Sequence, residues 1–326
     1  MKICILDPSL YLENIPSPNL GDQIISRAVK RELHGIFGLD ASITSIPTHS
    51  PPSLNSINHV RNADLCFVGG SNLLWFRPFP AASWKFGIRG LLNYRELILM
   101  GVGWGSYAIK PNYYGYILTN LILSKKFKHS VRDGFTESVV DTHFKIENVL
   151  NTACPTMWFL EHIQNLDRNH SKGDACIFSL TDYDKNPSND AQLINILVHH
   201  YGSELLFWAQ GKGDLEYCRS LGYDGKVIDR SIDGFIALLK QGYRFDYIGT
   251  RLHAGVLCLE HNVRTLILAI DNRAKEISND TGLPTVARDD FNAINNWIES
   301  SEIPKIKLPI NNINSWRLQF KGLSNA

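Results

Sequence analysis

Phe245–Asp271, FDYIGTRLHAGVLCLEHNVRTLILAID, reads as strand, helix, strand. The apolar run FDYIGT has strand length and ends at Gly249 and Thr250, a helix-length apolar segment opens at Leu252, and a second strand, TLILAI, follows. Two strands joined through a helix run parallel, because the crossover carries the chain back to its starting edge. The same alternation continues outward from this unit. ACIFSL, SELLFWAQ and KVID precede it, PTVA follows it, and the first half of the chain has its own series, KICILD, ADLCFVGG, ELILMGVG and HSVRD. Between the two series lies a polar stretch, QNLDRNHSKGD, at residues 164–174. The expected fold class is therefore α/β, with two Rossmann-like doubly wound domains facing each other across a cleft. Residues 1–168 form the first expected domain and 169–302 the second. A less regular tail, 303–326, is expected to pack back on the first. Within the first series, QIISRAVKRELHGIFG places Ile24, Ile25, Ala28, Val29, Leu33, Ile36 and Phe37 on one helix face, with Asp22 as the expected N-cap and Gly38 near the end.

Composition bounds the partners. Of 326 residues, 33 are Lys or Arg and 32 Asp or Glu, a formal charge of +1, which gives none of the extended basic surface that nucleic-acid phosphates require. The cysteines, Cys4, Cys66, Cys154, Cys176, Cys218 and Cys258, show no CxxC spacing and sit in apolar runs, so they read as reduced and structural. In MKICILDPSLYL the apolar run breaks at Asp7 and Pro8, which makes it a first strand rather than a signal peptide. No apolar run approaches the roughly 20 residues of a membrane span. The expected location is cytoplasmic, with a peripheral place at the inner face of the membrane left open. No metal site is expected, since the histidines, His199 and His200 included, lack ligand spacing to cysteines or carboxylates.

In open parallel sheets, ligands collect beyond the carboxyl ends of the strands, where helix N-termini favour anions. Five stretches stand there. NLGDQ offers Asn19, Gly21 and Asp22; FVGGSNLLW offers Gly69, Gly70, Ser71 and Asn72; GVGWG is centred on Gly103. Each also reads as a plain turn or cap. In SVRDGFT, Arg132 ends a short strand and Asp133 can cap the next helix; an Arg132–Asp133 surface ion pair is the alternative to an arginine aimed at an anion. In the opening stretch Leu252 should face the core and send Arg251 and His253 outward. Two groups able to carry positive charge are disfavoured at a helix N-terminus, so an anion is expected beside them. Asp271 ends the last strand of that stretch, and Lys275 follows in the next helix, where a solvated helix residue is the alternative reading.

The ordered set NLGDQ, VGGSN, GVGWG, SVRDGFT and GTRLHAGVLCLEHNVRTLILAIDNRAK resembles the polysaccharide pyruvyl transferase family, from about Asp7 to Ile277. The R-L-H element is its most specific part and the glycine turns the least. The resemblance implies a GT-B-like fold and transfer of the enolpyruvyl unit of phosphoenolpyruvate onto two hydroxyls of a saccharide, giving a pyruvate ketal in surface polysaccharide synthesis. It implies Arg132 and Arg251 as donor-binding residues and His253 as the catalytic acid; Lys275, from its position after the last strand on the same cleft, is a further expected donor-binding residue. The second domain becomes the donor side, and the first the acceptor side. Partners are then phosphoenolpyruvate and a saccharide acceptor, nucleotide- or lipid-linked, with no cofactor. Two departures stand out: Ser71 replaces a third glycine, and Val263 and Arg264 replace a Gly-Pro. A GT-B glycosyltransferase using a nucleotide sugar, and a catalytically silent carbohydrate-binding subunit, are the rival readings.

Overall fold

A computed structural model describes residues 1–74, 84–85, 87–105, 107, 113–162, 172–301 and 304–323. The boundary expected at 168/169 and the start of the tail at 303 lie outside the described residues. By packing, the chain divides into one unit of Met1–Ser17, Ile25–Trp158 and Leu308–Ala326, and another of Pro18–Ile24 and Phe159–Lys307.

The first unit contains β1 (Lys2–Asp7), a hairpin of β2 (Leu10–Leu12) and β3 (Ile15–Pro16), most of α1 (Leu20–Phe37), then β4 (Ser42–Pro47), α2 (Leu54–Asn62), β5 (Leu65–Gly69), α3 (Gly87–Asn93), β6 (Leu97–Met100), α4 (Tyr113–Ile122), β7 (His129–Val131), α5 (Gly134–Val139), β8 (Val149–Asn151) and α6 (Pro155–Trp158). Its sheet is parallel in the order β4-β1-β5-β6. β7 and β8 extend it through Gly101 N–H donating to Ser130 O at 2.9 Å and a Val102–Val131 bridge. Alternation along the strands sends Ile3, Ile5, Phe67, Ile98 and Met100 to one face and Cys4, Leu6, Cys66, Val68, Leu97 and Leu99 to the other, and both faces are covered. The strand ASITSIP, which becomes β4, escaped the sequence reading because its polar residues break the apolar run.

The second unit contains β9 (Ala175–Ser179), α7 (Pro187–Tyr201), β10 (Leu205–Trp208), α8 (Asp214–Ser220), β11 (Lys226–Ile228), α9 (Ile232–Leu239), β12 (Phe245–Gly249), α10 (Leu252–Glu260), β13 (Arg264–Ala269), α11 (Asn272–Thr281), β14 (Thr285–Ala287) and α12 (Phe291–Glu299). Its sheet is parallel in the order β11-β10-β9-β12-β13-β14. That is the doubly wound order whose switch point, here between β9 and β12, opens a ligand crevice at the carboxyl ends. At that point Gly249 pairs with Ser179, and a Cβ on Gly249 would stand 2.6 Å from the Ser179 carbonyl oxygen. Only glycine fits there.

After Lys307 the chain returns to the first unit as α13 (Ile310–Leu318). Trp316 and Phe320 are fully buried there, with ring centroids 6.0 and 5.5 Å from Phe67.

Candidate active site

In the first unit, three of the expected stretches come together at the carboxyl ends of β5, β6 and β7. Gly103 N–H donates to Ser71 O at 2.8 Å, Leu74 N–H donates to Gly103 O at 3.2 Å, and Arg132 N–H donates to Val102 O at 3.3 Å. The Arg132 side chain, 3 % exposed, lies across this platform, and a Cβ on Gly103 would fall inside its guanidinium. Asp133 caps α5 by accepting Thr136 N–H at 2.7 Å and takes Arg132 Nε at 3.1 Å. The Arg132–Asp133 pair, the alternative to an arginine aimed at an anion, does form, but it is buried rather than at the surface, and Asp133 serves as cap and partner together. Arg132 Nη2 and Asn72 Oδ1 are buried and have no hydrogen-bond partner among the described residues. Buried polar groups are nearly always satisfied, so a donor and an acceptor left over at the ligand end of a sheet mark a place built for a polar guest. Gly70 at φ 74° has no room for a side chain, since its Cβ would press 2.5 Å against Ile25.

Asp7 closes β1 at this same end. Burial raises its pKa, but Lys30 at 3.1 Å and hydroxyls of Ser26 and Ser45, each at 2.7 Å, outweigh that and hold the carboxyl below its ordinary value.

In the second unit the head of α1 meets the head of α10. The helix starts at Leu20, and Asn19 Oδ1 accepts Gly21 N–H at 3.0 Å. The capping role expected of Asp22 therefore belongs to Asn19, and Asp22 sits in the first turn. A Cβ on Gly21 would stand 3.4 Å from Nδ1 of His253, so the glycine lets backbone approach the imidazole.

Arg251 precedes α10, and Leu252, His253 and Arg251 are all buried, at 8 %, 9 % and 5 % exposed. The expected outward turn of Arg251 and His253 is not what the structure shows, because acidic side chains cover the arginine. Arg251 Nε donates to Asp214 Oδ2 at 2.9 Å, and Nη2 donates to Asp214 Oδ1 and to Asp182 Oδ1, the latter at 3.2 Å. The anion demanded by a cation at a helix N-terminus is thus supplied from within the chain, leaving Nη1 outside these pairs. Asp214 also accepts N–H groups of Gln210, Gly211 and Asp182 at 2.7–3.0 Å, which fixes the turn before α8. Tyr183 places its ring 5.1 Å from the Arg251 guanidinium and 5.8 Å from that of Arg273. Arg273 in turn pairs with Asp271, the cap of α11. Lys275 is exposed on α11, and none of these contacts reaches it. Thr181 Oγ1, Gln210 Nε2 and Thr250 Oγ1, beyond the ends of β9, β10 and β12, are buried without a partner among the described residues.

Asp182, Asp214, Tyr183, Thr181, Gln210 and Thr250 were not read from the sequence. QGKGD (residues 210–214) carries the same signal as NLGDQ, glycine and an acid where a strand passes into a helix. Among the described residues no group of three or more His, Cys, Asp or Glu is arranged to hold a metal ion, and the cysteines are free and buried. Burial pushes the thiols of Cys176 and Cys258 well above their ordinary value, which suits packing rather than nucleophilic work.

Residues 19–272 match the family model of polysaccharide pyruvyl transferase. The chain belongs to this family. No curated protein matches it in sequence. Among solved structures it is similar to the S. aureus MnaA–UDP co-structure, with 11 % identity, a TM-score of 0.52 and coverage of 93 % of this chain and 92 % of that one. It is likewise similar to UDP-GlcNAc 2-epimerase from Neisseria meningitidis bound to UDP-GlcNAc, with 11 % identity, a TM-score of 0.51 and coverage of 98 % and 100 %. These similarities establish the GT-B-like fold with Rossmann-like domains.

Membership in the pyruvyl transferase family gives the two departures a physical meaning. Ser71, in place of a third glycine, adopts φ 65°, the left-handed region that glycine occupies freely and that costs another residue about 1–2 kcal/mol. Arg264, in place of proline, stacks 3.8 Å over Trp297 and pairs with Asp246 at 2.8 Å. It begins β13, at the end of the sheet remote from Arg251. No described helix is long and apolar enough to cross a membrane.

Proposed function

We propose that this transferase moves the enolpyruvyl unit of phosphoenolpyruvate to two hydroxyls of a saccharide, forming a pyruvate ketal. The observation that supports it most is the pairing of family motifs with chemistry: a buried imidazole against a glycine backbone, and arginines held in fixed orientation at the ligand ends of both sheets. His253 is the acid. It gives a proton to the methylene carbon of the donor, which becomes a methyl group, and the neighbouring carbon becomes oxocarbenium-like. One sugar hydroxyl adds there, phosphate departs with the electrons of the C–O bond, a second hydroxyl closes the ketal, and the hydroxyl protons leave to the imidazole and to phosphate.

Arg132 and Arg251 are the donor-holding residues in this reading. Arg132 brings an unpartnered Nη2 backed by Asp133. Arg251 brings an orientation locked by two carboxylates, and these also reduce its net positive field. Arg132 therefore takes the larger share of anion binding and Arg251 a positioning share, with Lys275 a minor one. The experiment is turnover of purified protein with phosphoenolpyruvate and saccharide acceptors, read as phosphate release and as a ketal methyl signal by NMR. His253→Ala should lower turnover by about 100-fold or more, the usual share of a general acid. Phosphate release undiminished in His253→Ala would remove the histidine from this role. A nucleotide-sugar transferase is the competing reading, and transfer of a sugar from a nucleotide donor would establish it instead.

A further inference from the structure

At the ligand end of the second sheet an aromatic side chain stands open. Tyr183 follows β9 and is 55 % exposed, whereas Phe178, Trp208 and Tyr247, within β9, β10 and β12, are fully buried. A single exposed ring is ordinary, but this one is held. The Arg251 guanidinium lies over the ring, 5.1 Å from its centroid, and Arg273 Nη2 donates to the hydroxyl. Fixing a side chain costs rotamer entropy that a solvated tyrosine need not lose, and a ring fixed in advance binds a guest the better for it. The preceding residue is fixed as well. Asp182, its side chain 31 % exposed, accepts Gly213 N–H at 3.1 Å and Arg251 Nη2 at 3.2 Å, and its own N–H donates to Asp214 Oδ1 at 3.0 Å. Gly213 permits this, because a Cβ there would stand 2.4 Å from Asp182 Oδ2. Through their common neighbour Arg251, an open π-face and a partly open carboxylate are held in one place.

The guanidinium groups around the ring are paired. Arg251 gives Nε and Nη2 to Asp214 and Asp182, and Arg273 gives Nε and Nη2 to Asp271 and the tyrosine. Of the other charged residues in the turns after β9 and β10, Asp184 and Lys185 turn to Arg288 and the Tyr217 ring, and Lys212 is exposed, as is Lys275 of α11. We infer that Tyr183 and Asp182 seat the sugar ring of the saccharide acceptor. The C–H face of a pyranose is apolar and slightly positive, which suits the negative face of an aromatic ring, and a sugar hydroxyl donates to the carboxylate in a charge-assisted bond. A nucleotide also stacks on tyrosine, but its phosphates would meet guanidinium groups already committed to carboxylates. This seat rests on the reaction proposed above and lies on the second unit, where the sequence resemblance implies the first.

Saturation-transfer NMR of the full chain with the methyl glycosides of glucose, galactose and mannose tests it, with neither phosphoenolpyruvate nor turnover required. At least one glycoside should receive saturation from the aromatic protons of the protein, most strongly at the C–H protons of one ring face. Tyr183→Ala should weaken its binding by about 10-fold, the scale of losing an aromatic stacking partner, with an unchanged melting transition because the side chain is exposed; Tyr183→Phe should retain most of it. Should the alanine variant fail to fold, Tyr183→Leu, apolar but without a π-face, takes its place and should show the same loss. Absence of transfer to all three glycosides would overturn the inference, as would undiminished binding in the alanine or leucine variant, or transfer to uridine monophosphate with none to a glycoside. A separate titration with phosphoenolpyruvate keeps the two readings apart. Heat with phosphoenolpyruvate and no glycoside transfer removes the acceptor seat alone, whereas glycoside transfer without that heat leaves the seat standing and rejects the donor.

Discussion

Arg132 and Arg251 are both arginines at strand ends, yet the chain treats them differently. Arg132 keeps a free nitrogen over a glycine floor, and Arg251 is clasped by Asp214 and Asp182. Arg132→Ala should weaken phosphoenolpyruvate binding by about 1.5–3 kcal/mol, the worth of a charge-assisted contact, as read by calorimetry. Gly103→Ala should do nearly the same with the arginine retained, because its methyl group displaces the guanidinium. Donor affinity unchanged in both would show that nothing anionic rests there. A different residue contributes to the acid limb of stability. His129 is buried, accepts Leu99 N–H at Nδ1 and donates from Nε2 to Ser124 O, and burial lowers its pKa below the ordinary 6.5. The unfolded chain binds that proton more readily, so stability is present above pH 6.5 and is lost as pH falls through the folded value. His129→Gln should lower the melting temperature at neutral pH and flatten its decline between about pH 7 and 5; an equally steep decline would assign the acid sensitivity elsewhere.

At the scale of elements, strand identity was legible wherever apolar runs were unbroken, and β4, with Ser42, Thr44 and Ser45, was not. Five motifs were legible as turns at strand ends; their grouping was not, because Ser71 and Gly103, or Gly21 and His253, are distant in sequence and adjacent only through sheet order. The acidic clasp of Arg251 was hidden for another reason. Asp182 and Asp214 come from the turns after β9 and near the head of α8, and no local pattern announces which cation they face. The β10–α8 turn depends on Asp214, which is fully buried, holds Arg251 and accepts backbone N–H groups. Asp214→Ala leaves a buried guanidinium half-paired and should destabilise the second unit by about 3–5 kcal/mol in denaturant titration, a loss of the size seen when one partner of a buried ion pair is removed. A change under about 1 kcal/mol would show that Asp182 suffices.

At the scale of the whole molecule, the chain leaves its first unit, builds the second, and returns to finish the first with α13. Trp316 and Phe320 close the core over Phe67 and Phe37, so residues near the C-terminus stabilise the N-terminal sheet. Trp316→Ala should cost about 3–5 kcal/mol and lower the unfolding transition of the first unit, as large-to-small changes in dense cores do; an unchanged transition would mean that α13 packs without bearing on stability. Family membership supports a transferase acting on polysaccharide, and the donor is what remains to be measured. The most direct measurement is calorimetric titration of the purified chain with phosphoenolpyruvate and, separately, with UDP-sugars. Saturable heat with phosphoenolpyruvate that is lost in Arg132→Ala is the predicted result; heat with a UDP-sugar and none with phosphoenolpyruvate would contradict the account.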